Sequence, residues 1–92
     1  MEFSVGSLVA GEAVPFKHKH KQNEEVYVIL SGQGIFSFDG EEFPVVSWSM
    51  VRVAPSVVRT HRNTGDVPLV FLCFQAKVGS LEQATLDDGQ LL

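Results

Sequence analysis

The sequence predicts an all-β fold, a barrel or a sandwich, on three observations. Short β-branched runs recur at regular spacing with turn signals between them. Asp39-Gly40 is a strong two-residue hairpin signal, because both central positions of a type I′ turn need positive φ. His18 and His20 alternate with Lys17, Lys19 and Lys21, the pattern of a strand with ligands on one face and charges on the other.

The elements follow in order. Phe3 to Val14 is apolar at many positions but broken by Gly6 and Gly11, which suits one or two irregular strands better than a helix. Pro15 has no N–H for a sheet ladder and marks the entry to the histidine strand. Glu25 to Leu30 is a β-branched strand, and Ser31 to Gly34 turns the chain into Ile35 to Phe38. After Asp39-Gly40 the return strand is Glu41 to Val46. Ser47-Trp48-Ser49 makes a corner, Met50 to Val53 is a short strand ended by Ala54-Pro55-Ser56, and Val57 to Arg62 follows. Asn63-Thr64-Gly65-Asp66 closes it as a polar turn. Val67 to Phe74 lacks a polar face, so it should be covered on both sides, by the C-terminal tail or by another subunit. In the tail, Ser80-Leu81-Glu82-Gln83 has the form of a helix-start box.

Bulk properties narrow the function. The 92 residues suit a single domain, 1–92, whose core is modest enough that pairing with a second copy would help. A net charge of −4, with no basic block beyond the Lys17 to Lys21 stripe, argues against nucleic acid as the main partner. The lone Cys73 precludes an internal disulfide, fits a reducing cytoplasm and reads as a small buried hydrophobe. No apolar run is long enough to span a membrane, and MEFSVGSL lacks the basic start and apolar core of a signal peptide. The expectation is a cytoplasmic homodimer that handles a small molecule.

The chemistry gathers in residues 16–34. Two neutral imidazoles and the Glu25 carboxylate on one face suit a first-row divalent metal ion. A Lys-rich polar edge strand is the plainer alternative for the same residues. Tyr27 shares a face with Glu25 and is a candidate pocket donor, though an aromatic core residue would read the same way. No Ser/His/Asp constellation, phosphate-cradling glycine loop or cysteine-rich metal motif is present.

From about Val14 to Ala76 the chain resembles the cupins, whose fold is a double-stranded β-helix, or jelly-roll barrel. The resemblance implies a barrel core over about 14–76 and a tail over 77–92. It rests on a first motif of two histidines one residue apart, a glutamate and a glycine, met by His18, His20, Glu25 and Gly32. The second motif, on Trp48 to Asn63, is degenerate. Trp48 stands where glycine is usual, Ala54 where proline is, Ser56 where glycine is, and Arg59 where the fourth metal ligand, a histidine, would be. Only Asn63 matches strictly.

The resemblance implies metal binding by His18, His20 and Glu25, with zinc, manganese, iron and nickel all compatible with such ligands. Arg59 is always charged and cannot ligate a metal, so it should pair with Glu25 or with an anionic ligand. His61 lies on the same face as Arg59, displaced by about 7 Å along the strand, and reaches the metal only through a register change or bulge. Three functions stay open: a metal-dependent enzyme on a small oxygenated or anionic molecule, a non-catalytic ligand-binding module, and a metal-free barrel held by an Arg59–Glu25 ion pair.

Overall fold

The computed structural model describes residues 1–82 and 86–92. Among these residues seven strands, β1 (Glu2–Leu8), β2 (Asn23–Ser31), β3 (Gln33–Phe38), β4 (Glu41–Val46), β5 (Met50–Val53), β6 (Arg59–Asn63) and β7 (Leu69–Lys77), form two antiparallel sheets. One sheet has the order β1-β7-β2-β5 and the other β4-β3-β6. Their inner faces enclose the core, in which Ile29, Phe36, Val53 and Leu69 are fully buried.

Strand alternation decides what enters the core. In β2, Glu25, Tyr27 and Ile29 are buried and alternate with half-buried residues; in β6, Arg59, His61 and Asn63 point inward. Register stacks these residues in layers: Phe36 opposes His61 and Gly34 opposes Asn63 on one sheet, while Tyr27 opposes Cys73 on the other. Polar side chains therefore occupy both ends of an otherwise aromatic and aliphatic interior.

Local chemistry sets the corners. Asp39 and Gly40 take φ of 50° and 87°, as the hairpin requires, and the Asp39 carboxylate accepts the Val58 N–H at 2.9 Å. Gly32 turns β2 into β3 at φ 86°, where a Cβ would meet the Pro68 carbonyl oxygen at 2.4 Å. The Asn63 amide donates to Leu8 O at 3.0 Å and Val67 O at 2.8 Å while its oxygen accepts Gly65 N–H at 2.8 Å. One buried side chain thus ties the end of β1 and the approach to β7 to the turn after β6.

Three expectations change. The histidine segment is not a strand: between β1 and β2 the backbone pairs with β6 only through isolated bridges, Ala13 to Arg62 and His18 to Arg59. Its lysines find no continuous ladder partner, yet His18 and His20 still turn inward while Lys17, Lys19 and Lys21 are exposed. Val57 and Val58 fall outside β6, because Val57 N–H is spent on Ala54 O in a turn and Val58 N–H on Asp39. Val67 and Pro68 precede β7, which runs on to Lys77 instead. In the tail, a 3₁₀ turn covers Leu86–Asp88, and the helix-start box ends at Gln83, outside the described residues.

Candidate metal centre

His18 and Arg59 exchange backbone hydrogen bonds, His18 N to Arg59 O at 3.2 Å and Arg59 N to His18 O at 2.9 Å. Two residues on, His20 N donates to Pro55 O at 2.8 Å. This strap carries both imidazoles over the end of β2, where Glu25 points inward and is 4% exposed. Their Nε2 atoms lie 3.8 Å (His18) and 3.5 Å (His20) from Glu25 Oε1. The rings stand edge to face, 5.1 Å apart at 87°, so they approach the carboxylate from different directions. One donor atom from each of the three residues falls within 4.8 Å of the other two.

Glu25 is also the hub of a buried network. The Arg59 side chain is fully buried, with Nε 3.2 Å from Glu25 Oε1 and the two terminal nitrogens at 3.4 Å from Pro55 O and 3.3 Å from Ala54 O. Tyr27 OH donates to Glu25 Oε1 at 3.4 Å, and Cys73 Sγ donates to Oε2 at 3.2 Å. Burial, reinforced by the neighbouring carboxylate, pushes the Cys73 thiol up to about 12 and raises the Tyr27 phenol as well, so both keep their protons at neutral pH. Cys73 is therefore a polar member of the site, not merely the small hydrophobe expected of it. The sign it leaves in the sequence is its place in the alternation of β7, which becomes informative once the β2–β7 register sets it opposite Tyr27.

His61 stands outside the group of three. Its ring stacks on Phe36 at 4.6 Å and 9° and meets Phe71 edge-on at 4.7 Å, in the aromatic layer beneath the site. Burial lowers its pKa to about 4, and the proximity of His18 adds to the effect. Burial likewise lowers His18, against the opposing pull of Glu25.

The donor set suits a divalent ion. His20 Nε2 and His18 Nδ1 are buried without hydrogen-bond partners, so each imidazole retains a nitrogen that no hydrogen bond satisfies. Arg59 Nε also lacks a hydrogen bond of good geometry, and its 3.2 Å approach to Glu25 is a charge contact. Two imidazoles and a carboxylate at one mouth are ligands that first-row transition metals accept, and three protein ligands leave positions open.

The family model for the cupin domain matches residues 4–75. The chain is a cupin. A cupin protein from Bacteroides fragilis superposes with a TM-score of 0.93 at 46% identity, over 98% of this chain and 76% of that one. A predicted oxalate decarboxylase from Thermotoga maritima superposes with a TM-score of 0.78 at 29% identity, over 83% of this chain and 65% of that one. An oxalate-binding protein of Thermotoga maritima is 33% identical over 55 residues, 60% of this chain and 46% of its own length. An uncharacterised protein of Methanocaldococcus jannaschii is 39% identical over 56 residues, 61% of this chain and 45% of its own. The matched stretches thus span about half the length of these last two relatives. Trp48, at the position where cupins usually carry glycine, keeps a glycine-like backbone with φ 73°.

Proposed function

We propose that this cupin binds one divalent transition-metal ion through His18, His20 and Glu25 and uses it to hold a small oxygenated anion. The observation that carries the reading is the convergence of three donor atoms within 4.8 Å at a mouth where both histidines are partly exposed. The ion would act as a Lewis acid toward bound oxygen atoms. Around it, Tyr27 and Cys73 orient the Glu25 carboxylate from below, and Arg59 supplies fixed positive charge for an anion. The Thermotoga maritima matches, a protein named for binding oxalate and the structure of a predicted oxalate decarboxylase, support a small carboxylate as ligand class. Turnover of a small-carboxylate panel by metal-loaded protein separates an enzyme from a binding module.

A second reading has its own observation. The Arg59 guanidinium beside Glu25 neutralises the carboxylate without any metal, as in a structural barrel. Elemental analysis of protein purified without chelator, beside a His20→Ala variant, decides between them. About one ion per chain, lost in the variant, is the expected result. No metal in either, even after incubation with zinc, manganese, iron or nickel, would leave the ion pair as the better account.

The reading includes a cytoplasmic homodimer, with no nucleic-acid partner. The outer face of the four-stranded sheet sets Phe3 beside Phe74 and Val26, and Val5 beside Leu72, Val28 and Met50. Phe3, Val5, Met50 and the adjoining Trp48 are each about 70% exposed. Together they offer roughly 500 Å² of apolar side chain, before half-buried neighbours are counted, against roughly 800 Å² per partner in a standard interface. Among the described residues a groove of about 490 Å³ remains on this side, lined by Val26, Phe74, Ala76 and, from the tail, Leu81. Trp48→Gly relieves the left-handed backbone while removing a large apolar anchor. Chain stability should stay within about 0.5 kcal/mol of the parent while dimer dissociation rises roughly tenfold or more. Analytical ultracentrifugation checks this, and a parent that is monomeric at micromolar concentration would overturn the dimer.

A further inference from the structure

The metal reading leaves an unusual charge balance. Glu25 is the anion that contacts both imidazoles, and Arg59 already neutralises it from 3.2 Å. A divalent ion on His18, His20 and Glu25 would therefore leave two uncompensated positive charges in a largely buried group. Arg59 has no route of retreat. Its side chain is fully buried, its terminal nitrogens face the carbonyls of Pro55 and Ala54, and its backbone is bonded in both directions to His18. Nearby side chains do not offset the charge. Glu24 is ion-paired with Arg52 at 3.0 Å, and the exposed Lys17, Lys19 and Lys21 add positive charge on the segment that carries the histidines. The two histidines, 33% and 27% exposed, put the group at the surface end of the barrel.

We propose that the site takes up its divalent ion together with a small dianion of the dicarboxylate class, each strengthening the binding of the other because only the pair brings the Arg59–Glu25–metal group near neutrality. The inference rests on the metal reading. It assigns Arg59 a role separate from ligation: the guanidinium penalises the ion bound alone and rewards the ion bound with its anion. Linkage makes the effect reciprocal, so malonate must tighten Mn²⁺ by the same factor as Mn²⁺ tightens malonate.

Calorimetric titration of metal-free protein with Mn²⁺, with and without malonate, tests this, after correction for the Mn²⁺–malonate complex measured without protein. The Mn²⁺ dissociation constant should fall roughly tenfold or more in malonate and stay unchanged in neutral malonamide. The converse titration should return the same factor. In Arg59→Gln, Mn²⁺ alone should bind roughly tenfold more tightly, and the malonate effect should shrink to less than about threefold. Mn²⁺ binding to the parent with no response to malonate would overturn the coupling and leave the metal reading in place. No Mn²⁺ binding under any condition would overturn both. Should Arg59→Gln fail to fold, the size of the malonate effect in the parent, with malonamide as control, decides alone: a factor below about threefold overturns the coupling.

Discussion

Glu25→Gln should lower the unfolding free energy by about 3–5 kcal/mol, a large part of what a domain of this size possesses. The substitution keeps the shape of the side chain but removes the charge that faces Arg59, which has no exposure to water and, among the described residues, no other carboxylate partner. A guanidinium left in that position must either stay desolvated without a counter-charge or pull the strap and the 54–55 carbonyls apart. Urea denaturation with an unchanged slope would report the loss directly. Removing both charges together, as Glu25→Met with Arg59→Met, should recover most of it, because a well-packed apolar pair also avoids the desolvation cost. A single-variant loss below about 1 kcal/mol would mean that Arg59 finds solvent or another anion once Glu25 is neutral. The double variant would also lack one of the proposed metal ligands, so a stable barrel that takes up no ion would separate folding from the proposed metal binding.

Acid should weaken the fold over a defined window. His61 ionises near pH 4 in the folded protein against 6.5 in the unfolded chain, because its ring is buried among Phe36, Phe71 and Tyr27 with His18 nearby; Glu25 pulls weakly the other way. Between those values the unfolded state binds the proton and the native state does not. Stability is therefore complete above about pH 6.5 and falls as pH drops toward 4, by about 3 kcal/mol from this residue. His18 is shifted in the same direction, so parent and variant must be compared. His61→Leu, which keeps an apolar ring-sized filler, should flatten the profile between pH 6.5 and 4. Parallel pH profiles for the two proteins, by denaturation in chelator, would show that His61 is not the group responsible.

Much of this architecture is written locally. The alternation of Glu25, Tyr27 and Ile29 names the inward face of β2 without reference to any other strand, and Asp39-Gly40 fixes its hairpin through two backbone angles. Glu41–Val46 and Met50–Val53 are bounded by residues whose turn chemistry is plain, and both match. The geometry of the candidate site is legible to the same extent: His18, His20 and Glu25 converge, and Arg59 meets Glu25.

What was hidden depends on partners distant in the chain. Cys73 reaches Glu25 across 48 positions of sequence, and only the β2–β7 register brings it there. His61 shares a face with Arg59, but pairing opposite Phe36 assigns it to the aromatic layer. The lysine-histidine alternation looked like a strand because its side chains do alternate; nothing within the segment reveals that no continuous ladder accepts it.

The strap has a further consequence for how the protein breathes. Two of the three candidate ligands sit on a segment fastened to β6 and to Pro55 by a handful of backbone hydrogen bonds, whereas Glu25 belongs to a strand flanked on both sides. Segments tied this lightly open at lower free energy than the sheets beneath them. The imidazoles can swing away while the barrel and its Arg59–Glu25 pair stay folded, so the mouth is assembled last and released first. An arriving ion would act as a clasp on that strap, and the amide protons of His18 and His20 would be the ones to feel it close.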